Sequence, residues 1–95
     1  MIVDISGKTA LVCGSSAGIG RAAAMELAAS GAKVILLARN EAKLQDVLNG
    51  LPNPQNGHRF YTADFTQNEE VLNVAKRIVS ENQIDILINN AAIDP

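Results

Sequence analysis

Three glycines lie close together near the start of the chain, at positions 14, 18 and 20 of the stretch CGSSAGIG. They follow a short apolar run and precede a segment rich in alanine. A glycine-rich turn between a strand and a helix lets backbone N–H groups approach a phosphate, and the helix N-terminus adds partial positive charge. The stretch therefore predicts an anion site. The alternative is that the glycines only allow a tight turn and close helix packing.

The spacing of these glycines is G-x-x-x-G-x-G, which differs from the dinucleotide fingerprint G-x-G-x-x-G. No lysine in the stretch completes a loop of the kind that holds nucleoside triphosphates, so such a ligand is disfavoured. What the glycines could bind depends on the elements that position them.

Four apolar segments alternate with three segments of helical periodicity. The predicted strands cover 8–13, 33–38, 59–63 and 84–90, and the predicted helices cover 19–30, 40–50 and 67–80. Turn residues fill 53–58. The predicted buried positions are Ile19, Ala23 and Leu27 in the first helix, Leu44, Val47, Leu48 and Leu51 with the second, and Val71, Val74, Ala75, Ile78 and Val79 in the third.

Strands that alternate with helices form a parallel sheet with right-handed crossovers, so we predict the α/β class. The expected strand order is 3-2-1-4, in which the chain reverses direction between the first and fourth strands. Such a reversal opens a crevice at the carboxyl ends of the strands. The glycine stretch and the segment NNAA at 89–92 both fall there.

Composition narrows the class of protein. The chain has 95 residues and a formal net charge of −2, and it has no basic block, which disfavours nucleic acid or an anionic membrane as a partner. No apolar run approaches the roughly 18 residues of a membrane span, and no signal-peptide pattern is visible, so we expect a cytoplasmic protein. The single cysteine, Cys13, is expected to be a small buried residue rather than a nucleophile.

These segments together resemble the short-chain dehydrogenases/reductases. CGSSAGIG is similar to their TGxxxGIG segment, INNAA is similar to their NNAG segment, and GAKVILLARN, Asp64 and IDILINNAA occur in the family's order. Cys13 stands where the motif has Thr, and Ala92 stands where it has Gly. Within the family, the segments resemble the 3-oxoacyl-(acyl carrier protein) reductase-like group. The resemblance implies that residues 1–95 are the cofactor-binding N-terminal part of one Rossmann-type domain, of which the catalytic part is absent.

The resemblance also implies a nicotinamide dinucleotide across the strand ends, with its pyrophosphate over the glycine turn, its adenine amino group on Asp64 beside the Phe65 backbone, and its ribose along Asn90 and Ala91. Without the resemblance, Asp64 is first interpreted as a turn or cap residue, and Asn89 and Asn90 as buried amides that brace loops. The predicted cofactor-binding residues are Gly14, Ser15, Ser16, Gly18, Ile19, Gly20, Arg39, Asp64, Phe65, Asn90, Ala91 and Ala92. No metal ligands are predicted.

The choice between NADP and NAD depends on the residues after the second strand. NAD-preferring relatives carry an acid at the position of Ala38, and the next residue here is Arg39. A guanidinium can pair with the 2′-phosphate of NADP through its planar fork. NADP(H) is therefore favoured over NAD, with a solvated surface arginine as the alternative. The family's other basic position, inside the glycine turn, is Ala17, which leaves Arg39 as the only predicted contact to the 2′-phosphate.

Catalysis in this family uses a Ser and a Tyr-x-x-x-Lys pair, and the resemblance places both beyond this chain. The only tyrosine, Tyr61, is followed four residues later by Phe65, and we expect no cation beside it. His58, in a turn-rich stretch, is expected at the surface. We predict an NADP-dependent oxidoreductase that interconverts a carbonyl and an alcohol, inactive as these 95 residues alone. The alternatives are a non-catalytic NADP-binding module and a structural piece that binds nothing. A homo-oligomer, dimer or tetramer, is implied.

Overall fold

A computed structural model describes residues 4–90 of the chain. Its elements alternate strictly along the sequence, and the α/β prediction is confirmed. Their order is β1 (Thr9–Cys13), α1 (Gly18–Ala29), β2 (Lys33–Ala38), α2 (Glu41–Gly50), a 3₁₀ turn (Pro54–Asn56), β3 (Arg59–Thr62), α3 (Asn68–Glu81) and β4 (Ile86–Asn89).

The four strands form one parallel sheet in the order β3-β2-β1-β4, as predicted. β2 is aliphatic from Val34 to Ala38 and is buried throughout that run, as expected of a strand covered on both faces. At the carboxyl end of β1, Cys13 is the register partner of Leu37 in β2 on one side and of Asn89 in β4 on the other. The strands therefore end at nearly the same level, and the loops that follow them share one edge of the sheet.

Each face of the sheet has its own hydrophobic core. α1 and α2 cover one face, where Val12, Leu36 and Leu44 are fully buried. α3 covers the other face through Ile78, which packs with Ile35 and Tyr61. This division follows from right-handed crossovers, because α1 and α2 connect strands in one direction across the sheet and α3 connects them in the other.

The prediction that Ile19, Ala23 and Leu27 form the buried face of α1 was wrong, because the observed face lies one residue later in the sequence. The residues that face the sheet are Gly20, Ala24 and Ala28, whereas Ile19 is 75% exposed. A stripe of small side chains lets the helix axis approach the sheet closely. In α3 the expected face is buried only at Ile78, and Val79 is 68% exposed.

Helix length and hydropathy also bear on membrane insertion. Within the described part of the chain, no helix is both long and apolar enough to cross a bilayer.

Candidate functional site

The glycine turn begins where β1 ends and is fixed there by the sheet. Gly14 donates its N–H to the carbonyl of Leu37 at 2.7 Å, which extends the β1–β2 ladder by one residue. Gly14 has a φ of 76° and Gly18 a φ of 60°, a left-handed conformation that glycine adopts without a steric penalty. Both glycines are therefore required by the backbone path of the turn.

Gly20 is required for a different reason. A Cβ built on Gly20 would lie 2.9 Å from the carbonyl carbon of Gly14 and 3.1 Å from Cα of Ser15, and would overlap the Gly14 carbonyl oxygen. The first turn of α1 is thus packed directly on the backbone of the preceding turn. This close approach holds the start of the helix at the carboxyl edge of the sheet.

The N-terminus of α1 has no side-chain cap. The N-cap residue is Ala17, whose methyl group cannot accept a hydrogen bond from the first N–H groups of the helix. The first four N–H groups of any α-helix lack intrahelical acceptors, and together with the helix dipole they favour an anion. Gly18 and Ile19 are exposed in this turn, so an external anion can approach it.

Ser15 and Ser16 differ in accessibility. Ser15 is fully buried, and its hydroxyl has no hydrogen-bond partner among residues 4–90. It lies beneath the turn rather than on its accessible side. Ser16 is partly exposed and lines a cleft between the start of α1 and the side of α2.

Arg39 follows β2 directly and is exposed at the same edge. Within the described residues its guanidinium has no ion-pair partner, the one ion pair there being that of Arg59 with Glu81. Ala38, which precedes it, is buried, and no carboxylate occupies that position. Arg39 is therefore an exposed cation at the same edge of the sheet as the uncapped start of α1, and its charge acts on Asp64.

Asp64 lies in the loop after β3, where Ala63 extends the ladder by donating to the carbonyl of Ala38 at 3.1 Å. One carboxylate oxygen, Oδ1, accepts hydrogen bonds from the Thr66 hydroxyl at 2.7 Å and from the Thr66 N–H at 3.0 Å. These two bonds, and then the charge of Arg39, lower the pKa of Asp64. The turn role expected from the residue type is therefore present, and the N-cap of α3 is Gln67. Within residues 4–90, Oδ2 accepts no hydrogen bond.

The remaining predicted residues lie nearby, with one correction. Asn90 donates its N–H to the carbonyl of Cys13 at 3.0 Å, which places it next to the glycine turn. The amides of Asn89 and Asn90 were expected to be buried, but both residues are exposed, because β4 is an edge strand in the described sheet. Phe65 is partly buried against the α3 core. Ala91 and Ala92 lie outside the described residues.

Cys13 is buried, as predicted, and burial raises the pKa of its thiol. A thiol in this state is a poor nucleophile at neutral pH.

His58 and Tyr61 depart from the sequence predictions. His58 is partly buried: Nδ1 accepts the N–H of Val34 at 2.9 Å and Nε2 lies 2.8 Å from the carbonyl of Pro52, so the ring joins β2 to the loop before β3. Cations do stand beside Tyr61, since Arg77 lies 5.4 Å from its ring centroid and Arg59 donates to its hydroxyl at 3.2 Å. The hydroxyl itself donates to Glu81 at 2.6 Å, near the C-terminal end of α3 and away from the glycine turn.

The segments that follow the four strands lie at one edge of the sheet. They carry the glycine turn, Arg39, Asp64 and Asn90. Comparison with known proteins identifies the family of the chain. The short chain dehydrogenase family model matches residues 8–95, and the chain belongs to that family.

Individual relatives are similar over nearly the whole chain. An uncharacterized oxidoreductase of Schizosaccharomyces pombe is 43% identical, covering 97% of this chain and 28% of its own length. The 3-oxoacyl-[acyl-carrier-protein] reductase of Rickettsia bellii is 37% identical over 97% of this chain and 36% of its own. An inactive hydroxysteroid dehydrogenase-like protein of Pongo abelii is 36% identical over 92% of this chain and 27% of its own.

A solved short chain dehydrogenase from Escherichia coli, described as complexed with NADPH, superposes with a TM-score of 0.83 at 36% identity. The match covers 95% of this chain and 39% of that one. The chain therefore corresponds to the N-terminal third or so of these proteins, and its fold is that of their Rossmann-type sheet.

Proposed function

We propose that this chain binds NADP(H) along the carboxyl edge of its sheet and supplies the cofactor-binding part of an oxidoreductase that interconverts a carbonyl and an alcohol. The observation that carries the proposal is the uncapped start of α1, held by Gly20 against the glycine turn, with the exposed guanidinium of Arg39 at the same edge of the sheet. NADPH, when bound, supplies the hydride. This chain's own residues hold and orient the cofactor.

Each residue has a distinct role in the proposal. The N–H groups at the start of α1 receive the pyrophosphate, Arg39 receives the 2′-phosphate, and the unused Oδ2 of Asp64 receives the adenine amino group. Because position 38 is alanine rather than an acidic residue, no negative charge there repels a 2′-phosphate. Asn90, which follows β4 and donates its N–H to the carbonyl of Cys13, borders the ribose. The family resemblance assigns Ala91 to the same ribose and Ala92 to the cofactor path.

The experiment is a calorimetric titration of the chain with NADPH and NADH, repeated on Arg39→Gln and on Lys76→Gln, a control that removes one exposed charge from α3. A charge-assisted contact at an exposed site contributes about 1–2 kcal/mol, so Arg39→Gln should weaken NADPH binding about five- to thirtyfold. NADH binding should be unchanged by Arg39→Gln, and Lys76→Gln should bind both cofactors as the wild-type chain does. Equal weakening of both cofactors by Arg39→Gln would contradict the 2′-phosphate assignment.

A second candidate is a non-catalytic NADP-binding module. One of the similar proteins is described as inactive, and the only tyrosine of this chain, Tyr61, has no lysine four residues later. Both candidates predict that these 95 residues do not turn over NADPH with ketone substrates. A serine and a Tyr-x-x-x-Lys sequence in the reading frame after Pro95 would favour the enzyme, and their absence would favour the module.

The enzyme candidate also implies a small-molecule carbonyl or alcohol substrate, a cytoplasmic location and a homo-oligomer, either a dimer or a tetramer. Sedimentation of the native polypeptide tests the last of these: a stable monomer would contradict it.

A further inference from the structure

A cleft of about 310 Å³ lies beside the glycine turn, between the first turn of α1 and the side of α2. Ser16 and Ala17 form its wall on the glycine side, and Arg21, Lys43 and Asp46 are the charged residues that line it. The volume is at the lower end of that of ligand pockets and suits one group of a ligand rather than a whole dinucleotide.

Both cations of the cleft stand near helix N-termini. Arg21 follows the N-cap Ala17 by one helical turn, and its N–H reaches the Ala17 carbonyl at 3.4 Å. Lys43 lies in the first turn of α2, where its N–H is capped by the side chain of Asn40 at 3.0 Å. A cation at a helix N-terminus opposes the helix dipole, so helix stability does not explain these positions.

Neither cation has an ion-pair partner among the described residues. Within the described residues the side chains of Arg21 and Lys43 make no hydrogen bond or ion pair, and both residues are exposed. Asp46 is the one carboxylate lining the cleft, and Glu41, in the same first turn of α2, does not line it. The cleft therefore carries a net charge of +1. Arg39 is not among its lining residues but directly precedes Asn40, the N-cap of the helix that carries Lys43.

We infer that Arg21 and Lys43 form, with Arg39, a three-cation site for the 2′-phosphate of NADP. The inference rests on the proposed function and extends it. A phosphate monoester carries about −1.5 to −2 charges at pH 7, which the single guanidinium of Arg39 cannot neutralise. Because the side chain of Ala17 is only a methyl group, it does not close the cleft on the side of the glycine turn. Arg21 and Lys43 can therefore take the place of a basic residue in the turn.

The test uses two nucleotides that differ only in the 2′-phosphate, namely 2′,5′-ADP and 5′-AMP. Their dissociation constants are measured by calorimetry for the wild-type chain and for Arg21→Gln, Lys43→Gln, Asp46→Asn and the control Lys76→Gln. The preference is the Kd for 5′-AMP divided by the Kd for 2′,5′-ADP.

We expect Arg21→Gln and Lys43→Gln each to reduce this preference about two- to fivefold, as is typical of exposed charge pairs, with 5′-AMP affinity unchanged. Asp46→Asn should increase the preference, and because a gain cannot arise from misfolding it guards against that explanation. Added salt should reduce the preference of the wild-type chain, since exposed charges are screened. Lys76→Gln should match the wild-type chain.

The outcomes separate the two proposals. If the wild-type chain prefers 2′,5′-ADP but both cleft variants retain its preference, the inference is wrong and the proposed function stands. If the wild-type chain shows no preference, or binds neither nucleotide, both fail. If Arg21→Gln and Lys43→Gln weaken the binding of 5′-AMP and of 2′,5′-ADP equally, the cleft does not recognise the 2′-phosphate and the inference is again wrong.

Discussion

Replacing Gly20 by alanine tests the packing that holds the start of α1 at the site. The added Cβ would lie 2.9 Å from the Gly14 carbonyl carbon and 3.1 Å from Cα of Ser15. These neighbours are backbone atoms that cannot turn aside as a flexible side chain can, so the helix or the turn must shift. Overpacking of this kind costs about 1–3 kcal/mol, and we place Gly20→Ala at the upper end of that range. For a domain of this size each kcal/mol lowers Tm by about 4–8 °C.

Two other glycines provide matched controls for the same substitution. A Cβ on Gly50, the last residue of α2, meets no atom within 4 Å, so Gly50→Ala should be neutral or stabilise the fold by up to about 1 kcal/mol. Gly18 also has open space around it but has a φ of 60°, so Gly18→Ala should cost about 1–2 kcal/mol through backbone strain.

The assay is urea denaturation of the three variants and the wild-type chain, followed by far-ultraviolet circular dichroism. The expected order of stability is Gly50→Ala at or above wild type, then Gly18→Ala, then Gly20→Ala. If Gly20→Ala unfolds at the same urea concentration as the wild-type chain, then α1 does not pack on the Gly14 carbonyl as described.

Three further predictions follow from individual side chains. His58→Ala should lower the free energy of unfolding by about 1–3 kcal/mol, because it removes the acceptor of the Val34 N–H; urea denaturation measures this, and an unchanged midpoint would contradict the bridging role. Because burial raises the pKa of the Cys13 thiol, the folded chain should react slowly with a thiol reagent at pH 8 and rapidly once unfolded; equal rates in both states would count against burial. Because Thr66 lowers the pKa of Asp64, the stability that this carboxylate contributes is present above its unfolded-state pKa and is lost as the pH falls through the lower folded-state value. Thr66→Val should raise the pKa of Asp64 towards its ordinary value in a carboxyl NMR titration, and no change would exclude the Thr66 hydroxyl as the main cause.

The order of elements and the edge that carries the site could be predicted from the sequence, because both depend on local patterns and on the handedness of crossovers. Buried strands such as 33–38 are nearly continuous apolar runs, and the glycine turn marks the carboxyl end of β1. The exposed position of Arg39 follows from that topology, whereas the exposure of Ile19 in the glycine turn was not predicted.

The details that could not be predicted depend on contacts between distant segments. Alanines lie on several sides of α1, so the apolar pattern does not define one buried face. Only the contact of Gly20 with Gly14 selects the face that meets the sheet. The stripe of small residues at Gly20, Ala24 and Ala28 is the signal that could have found it. His58 looked like a surface turn residue because its partner, the Val34 N–H, lies on another element.

The charged cleft was likewise invisible in the sequence. Arg21 and Lys43 belong to different helices, and only the packing of α1 and α2 on the same face of the sheet brings them to one side of the glycine turn. The cations beside Tyr61 were missed for the same reason, since Arg77 reaches the ring from α3.

The most direct test of the central claim is a two-dimensional ¹⁵N NMR spectrum of this chain recorded with and without NADP. Binding at the carboxyl edge predicts amide shifts at the glycine turn from Gly14 to Gly20, at Arg39 and at Asp64, with the amides of Gly31 and His58 at the opposite edge unchanged. Shifts confined to the opposite edge, or no shifts at millimolar NADP, would contradict it.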